Sequence, residues 1–405
     1  MQEHLVIAGG GQAAAQAAQS ARQAGFAGRI SLFAEEASLP YQRPPLSKKF
    51  LAGEMEPSRL LLKPGEFYSK REIDVVTGTE VSGFDPAKRK VTLGNGDEIA
   101  YSHLVLATGS EPLRLAVPGV GLEGVHYLRR IGDVEAIRQE FAAGSRLVIV
   151  GAGYIGLEVA AVASRAGLDV TVLETADRVM ARTACPEVSA FYAAAHRAAG
   201  VDLRLGSKLA AFHGDGRVRA VETSAGERFD CDLAIIGIGI RPRVELAERA
   251  GLELADGIAV DACGRTGAPG VFAAGDCSSH LHPWVGRRVR LESVQNALEQ
   301  GKAAGLTIAG QEQAFDAVPW FWSDQYELKL QIAGLSEGYD ETVVRGSIEQ
   351  GSFSVYYLAA GRVIAVDAVN DPRGFITARQ RLPGKPRWPA AAIADPDTEL
   401  APLPD

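Results

Sequence analysis

Two stretches decide the fold of this chain: Leu5-Val6-Ile7-Ala8-Gly9-Gly10-Gly11-Gln12-Ala13-Ala14 and, 142 residues on from Gly9 to Gly151, Leu147-Val148-Ile149-Val150-Gly151-Ala152-Gly153-Tyr154-Ile155-Gly156. Each opens with an unbroken apolar run, the pattern of a strand buried on both faces of a parallel sheet. Each then passes through glycines into a small-residue helix and reaches a second strand that ends in an acid. The second strands are Arg29-Ile30-Ser31-Leu32-Phe33, ending at Glu35, and Asp169 to Leu173, ending at Glu174. Two β–α–β units of this kind make the chain α/β, with two Rossmann-like dinucleotide-binding domains.

The spacing has a chemical reason. Gly9 and Gly151 make the tight turn, and Gly11 and Gly153 let backbone approach a pyrophosphate. A small third residue, Ala14 or Gly156, lets the helix pack on the strand, while the helix start offers N–H groups to phosphate. Glu35 lies 26 residues after Gly9 and Glu174 lies 23 after Gly151, where an acid accepts hydrogen bonds from a ribose. One such motif is weak evidence of binding; two in register with strand, helix and acid are strong.

Composition bounds the rest. At 405 residues, 46% hydrophobic and 23% charged, the chain has material for two or three globular domains. Its 45 glycines, about 11%, exceed the roughly 7% average. A net charge of −8 argues against nucleic acid as partner. No apolar run is long enough to span a bilayer, and the first strand begins at His4, leaving no room for a signal peptide. A cytoplasmic location is expected. Cys185, Cys231, Cys263 and Cys277 show no metal-ligand spacing, so no metal site is expected.

Three further apolar strands end in turns: Tyr101 to Gly109 (Ala107-Thr108-Gly109), Asp232 to Pro242 (through Ile238-Gly239) and Gly270 to Asp276 (Gly275-Asp276). In this order the segments resemble the two-dinucleotide flavoprotein reductases, relatives of glutathione reductase. The resemblance implies an FAD-binding domain at 1–113 and 245–318, interrupted by an NAD-binding domain at 114–244. A C-terminal α+β domain follows at 319–405; its last twenty or so residues lie outside the resemblance and, being rich in Pro, Ala and Asp, are expected to form a loose acidic tail. Disulfide reductases of that superfamily need cysteine after the first ribose-binding strand. Leu39 to Lys49 contains none, so electrons must leave the flavin directly. Pro40-Tyr41-Gln42-Arg43-Pro44-Pro45-Leu46-Ser47-Lys48 resembles the NADH-dependent ferredoxin reductases of bacterial cytochrome P450 and aromatic-ring dioxygenase systems. Arg290 to Ala297, Pro319 to Gln325 and Asp340 to Gly346 resemble them too.

That resemblance implies an FAD site, tight and non-covalent, of Gly9, Gly11, Ala13, Ala14, Glu35, Arg43, Lys48, Val81, Ala107, Thr108, Gly109, Arg129, Gly275, Asp276, Val294 and Trp322. It implies an NAD site of Gly151, Gly153, Tyr154, Ile155, Gly156, Glu158, Glu174, Ile238 and Gly239. Lys48, Glu158, Tyr154 and Trp322 are the implied catalytic residues: Lys48 near the flavin ring, Glu158 pairing Lys48 or the carboxamide, Tyr154 as a gate, Trp322 on the acceptor side. Glu174 favours NADH, since a carboxylate about 4 Å from a 2′-phosphate is repelled by roughly 4 kcal/mol at an effective dielectric near 20. Arg178, four residues on, is the nearest following arginine. The implied partner is an acidic [2Fe–2S] ferredoxin in a transient complex, met by a basic patch drawn from Arg43, Lys48, Lys49, Arg287, Arg288 and Arg290. Direct reduction of a quinone, radical or oxygen, rubredoxin in place of ferredoxin, and NADH sensing without turnover are the alternatives.

Overall fold

The computed structural model describes residues 3–400. The chain divides into two compact units, one of Met1–Gln42, Pro57–Glu111 and Arg241–Pro319, the other of Arg43–Glu56, Pro112–Ile240 and Trp320–Asp405.

The first unit is built on five parallel strands in the order Val271–Ala273, His103–Leu106, His4–Ala8, Arg29–Ala34, Ile73–Thr77. The quoted run is its central strand, and Leu5, Val6 and Ile7 are wholly buried. Alanines 13, 14, 17, 18 and 21 face inward on the Gln12–Gln23 helix. The Val294–Ile308 helix closes on that stripe: a Cβ at Gly301 would fall 2.5 Å from the Ala13 carbonyl oxygen, and one at Gly305 2.5 Å from that of Ala17. Small residues on both helices set this close approach, and neither face tolerates a larger side chain.

The second unit repeats the plan. Its parallel sheet runs Asp202–Arg204, Asp169–Leu173, Arg146–Val150, Leu233–Ile236, Val125–Tyr127. It also contains an antiparallel sheet in the order Trp320–Gln325, Leu328–Gly334, Arg362–Val369, Ser352–Ala359, Glu341–Ser347. The Pro372–Arg381 helix packs on that sheet, started by Pro372 and by the Asp371 side chain accepting from the Gly374 amide.

The tail departs from expectation. Residues 386–400 are packed: Trp388, Ile393 and Leu400 are buried, and Trp388 meets Tyr356 edge-on at 6.2 Å. Arg345 gathers the segment, its guanidinium donating to the carbonyls of Ala392, Ile393, Asp395, Pro396 and Thr398 at 2.6–3.3 Å. Composition alone reads such a segment as loose because it registers neither the three buried apolar anchors nor a distant arginine. Residues 401–405 of that expectation lie outside the described residues. Arg345→Met should cost about 2 kcal/mol of stability and open residues 386–400 to protease. Arg345→Lys should not rescue it, since a point charge cannot span the five carbonyls. Limited proteolysis and thermal melting check this.

Candidate functional site

In the first unit the strand-to-helix turn is set by contact. Gly9 has φ +133, and a Cβ there would stand 2.1 Å from the Ala107 carbonyl oxygen. A Cβ at Gly10 would meet that of Ala34 at 2.5 Å, which accounts for the second glycine of the triplet. At Gly11 a Cβ would meet nothing within 4 Å, so the turn opens onto space beside the helix start. Gly11 caps the Gln12–Gln23 helix without a side-chain bond. Such a helix start, with free N–H groups and positive potential, is the arrangement that holds a phosphate.

The other expected residues of this unit have the following surroundings. Thr108 Oγ1 donates to the Arg243 carbonyl at 2.6 Å, and the Arg243 amide donates to the Gly109 carbonyl at 2.9 Å. Asp276 Oδ2 accepts from Ser110 Oγ at 2.7 Å, and Gly275 lies against Ala13. Val294 opens its helix, capped by Ser293, and Val81 is buried against the sheet. Glu35 Oε2 sits 2.6 Å from Arg243 Nη1. Sequence reasoning missed Arg243; its signal was a cation just after a strand already singled out.

The second unit holds the other cradle. Gly151 has φ +106, and its Cβ would lie 2.4 Å from the Gly237 carbonyl oxygen; Gly153 opens on empty space and caps the Tyr154–Arg165 helix without a side chain. At Gly156 a Cβ would come 2.1 Å from the Gly151 carbonyl oxygen, so this turn requires a glycine where the first uses Ala14. Ile155 is exposed beside it, and Gly239 follows Ile238 under the Arg182 guanidinium. Glu174 is fixed over the turn: Oε2 accepts from the Ala152 amide at 2.7 Å and Oε1 from the Ala176 amide at 2.8 Å. Arg178 is committed elsewhere, to the carbonyls of Ala181 and Ala184 and to Ser189 Oγ.

Arg43, Lys48, Arg129 and Trp322 also belong to this second unit. Arg43 Nη1 donates to the Arg129 carbonyl at 2.7 Å. Lys48 Nζ lies 2.7 Å from Glu158 Oε2, with Glu158 1% exposed. Two hydroxyls complete that carboxylate, Ser47 Oγ at 2.5 Å on Oε2 and Ser323 Oγ at 2.6 Å on Oε1. Of the two expected partners for Glu158, the structure shows Lys48; both serines were missed. Tyr154 packs against Phe321 with ring centroids 4.9 Å apart and planes tilted by 43°, and burial raises its phenol above the ordinary tyrosine range. Trp320 and Trp322 lie 5.5 Å apart, with Arg379 5.0 Å over Trp320.

The expected basic patch does not form as drawn. Arg288 donates to the Ser279 and Val260 carbonyls, Arg290 pairs with Asp256 and Glu292, and Lys48 is spent on Glu158. Proximity in sequence hid these internal partners. All four cysteines are buried, and burial pushes the thiols of Cys185 and Cys231 up to about 12, so none is a ready nucleophile.

A family model described as pyridine nucleotide-disulphide oxidoreductase matches residues 3–301, and one described as reductase C-terminal matches 320–403. The chain belongs to the pyridine nucleotide-disulphide oxidoreductase family. Among its relatives it is 44% identical over 384 residues to a ferredoxin–NAD(P)+ reductase of a Sphingomonas species, covering 94% of this chain and 93% of the relative. It is 43% identical over 394 residues to the putidaredoxin reductase of Pseudomonas putida, covering 95% and 93%. A crystal structure of a covalent putidaredoxin reductase–putidaredoxin complex superposes with a TM-score of 0.95 at 41% identity, covering 97% and 96%. The family implies FAD and a nicotinamide dinucleotide. Two glycine cradles, each closed on one side by a carbonyl and open on the other at an uncapped helix start, fit two dinucleotides. Among the described residues no group of three or more His, Cys, Asp or Glu could hold a metal ion.

The two turns can be told apart by substitution. Gly9→Ala should yield colourless protein, and Gly156→Ala yellow protein whose NADH affinity falls at least about tenfold. Flavin absorbance and NADH titration check both.

Proposed function

We propose that this chain is an NADH-dependent ferredoxin reductase, carrying electrons to a [2Fe–2S] ferredoxin that feeds a cytochrome P450 or an aromatic-ring oxygenase. The observation that supports it most is a chain with two dinucleotide cradles whose four cysteines are all free and buried, so that no disulfide stands ready to take the electrons. Near full-length similarity to ferredoxin reductases supports the choice of acceptor. No described helix is long and apolar enough to cross a membrane, and we place the protein in the cytoplasm.

When bound, NADH supplies a hydride, and FAD accepts it and gives up electrons singly. The chain binds and orients. Gly9, Gly11, Ala13 and Ala14 hold the FAD phosphates without covalent linkage and tightly enough to retain them, while Glu35 and Asp276 accept from hydroxyls. Val81, Ala107 to Gly109, Gly275 and Val294 complete that surface in the first unit, and Arg43, Arg129 and Trp322 are the residues of the second unit assigned to FAD. Gly151, Gly153, Ile155, Gly156, Ile238 and Gly239 hold the nicotinamide dinucleotide. Lys48, kept in place by Glu158, offers positive charge to the reduced ring. Tyr154 on Phe321 presents an aromatic face that excludes water.

Glu174 Oε1 accepts from both the Ala176 amide and the Thr175 hydroxyl, whereas Oε2 retains a lone pair beyond its bond to the Ala152 amide, available to a ribose hydroxyl. With Arg178 tied to carbonyls and to Ser189, that arginine is not released to a 2′-phosphate. Glu174→Ser should raise the NADPH-to-NADH ratio of kcat/KM by about 10- to 100-fold. An unchanged ratio would sink the coenzyme argument.

The acceptor surface is proposed on the Pro372–Arg381 helix and the loop after it. Residues 372–394 contain Arg373, Arg379, Arg381, Lys385 and Arg387 and no acid, in a chain of net charge −8. Arg373 and Arg379 are exposed three residues either side of Ile376, itself 54% exposed, and Lys385 and Arg387 are exposed in the segment that follows the helix. An acidic ferredoxin is attracted there in spite of the overall charge. Steady-state NADH oxidation with added [2Fe–2S] ferredoxin is the test. Arg373→Glu with Arg379→Glu should raise KM for ferredoxin about tenfold or more at low salt, and less at high salt. Fast turnover on a quinone, with no stimulation by ferredoxin, would move the assignment to direct small-molecule reduction.

A further inference from the structure

The Lys48–Glu158 pair is the inner end of a longer run of buried hydrogen bonds. The Trp320–Gln325 strand lies along the Tyr154–Arg165 helix, and two of its residues, Ser323 and Gln325, are 0% and 1% exposed. Ser323 Oγ donates to Glu158 Oε1 at 2.6 Å. Gln325 Nε2 lies 3.3 Å from Ser323 Oγ, and Gln325 Oε1 lies 2.9 Å from Nε2 of His196, on the Pro186–Ala198 helix. His196 is wholly buried; its Nδ1 lies 3.1 Å from the Tyr326 hydroxyl, which lies 3.2 Å from Ser164 Oγ.

Counting hydrogens gives the run a direction. A carboxylate has no proton to donate, so the single hydrogen of Ser323 is committed to Glu158. The Ser323 oxygen can then only accept, which turns the amino end of Gln325 toward it and the carbonyl end toward His196. A carbonyl only accepts, so His196 Nε2 bears the ring proton and bare Nδ1 accepts from Tyr326. The amide orientation and the tautomer both follow from this chemistry and not from ring shape. From His196 to Glu158 every hydrogen points at the buried carboxylate.

We infer that His196 is a positioning residue: through Gln325 and Ser323 it holds Glu158 as the partner that fixes Lys48. Burial keeps His196 below the usual histidine range, which preserves the neutral ring the arrangement needs. Without a donor at His196 the Gln325 amide has no reason to keep its carbonyl outward. Turned over, it draws the Ser323 hydrogen to itself and leaves Glu158 Oε1 without a donor, and Lys48 loses its fixed counter-charge. The inference rests on the assignment of Lys48 and Glu158 to the reaction.

The test uses FAD-loaded protein. In protein labelled with ¹⁵N-histidine, NMR should show His196 as the neutral Nε2–H tautomer; an Nδ1–H tautomer would overturn the inference whatever the kinetics. His196→Phe fills the space but donates nothing, and should slow flavin reduction at saturating NADH about tenfold while changing NADH affinity by less than about twofold. His196→Gln, which keeps an N–H donor, should recover the rate to within about threefold. In a Glu158→Gln background, His196→Phe should add less than about a twofold change, because the effect passes through Glu158. Additive losses, or an equal loss in His196→Gln and His196→Phe, would show His196 to be packing alone. Should Glu158→Gln reduce its flavin at the normal rate, the reading beneath this one fails. A slow Glu158→Gln beside a normal His196→Phe overturns this inference by itself.

Discussion

A carboxylate 1% exposed is the constraint on which the second unit is organised. Removing such a charge from water costs several kcal/mol unless a counter-charge and hydrogen bonds replace the lost solvent. Glu158 has all of them, from Lys48, Ser47 and Ser323, drawn from segments 111 and 165 residues away in sequence. The carboxylate therefore pins three distant stretches to one point. Removing one partner leaves a buried charge under-satisfied, whereas removing the whole set would leave an apolar core. An arrangement that folds less economically than leucine would has a chemical use, and here that use is a lysine whose ammonium is held still.

The two cradles answer a different constraint, the closeness of backbone to backbone. Both first glycines stand where a Cβ would penetrate a carbonyl from a neighbouring strand end, Ala107 in one and Gly237 in the other. The halves then diverge at the third position. Gly156 is wedged on the Gly151 carbonyl, whereas Ala14 is itself part of the alanine stripe facing the Val294–Ile308 helix. Close packing has moved from helix-on-turn to helix-on-helix, with Gly301 and Gly305 supplying the missing volume from the other side. The repeat is one of fold; its small residues are placed where each copy is most crowded.

What was legible in the sequence follows from this. Apolar runs, glycine turns and strand-end acids are local patterns, and local patterns placed the central strands and both cradles. The implied pairing of Lys48 with Glu158 came from resemblance, since nothing local links residues 110 apart. Ser47 and Ser323 were passed over because a serine matters here only through a partner that sequence spacing does not reveal. Arg287 to Arg290 read as a basic cluster because Asp256, Ser279 and Val260 are invisible from that stretch, and the tail read as loose for want of Arg345. In each case the missing information was a contact of high sequence separation.

The segment from Pro44 to Lys49 brings these threads together. Disulfide-reducing members of the superfamily place redox cysteine there, and a disulfide is a two-electron acceptor that must face its cofactor directly. This chain has a serine and a lysine at that place, both turned onto Glu158. A fixed cation stabilises added negative charge without accepting electrons itself. The exchange of thiol for cation thus removes one route and leaves the electrons to depart singly through an outer partner. Such a partner needs no pocket, only an attractive surface, and the acid-free run from Pro372 to Ala394 is the stretch of an otherwise acidic protein that we propose for it.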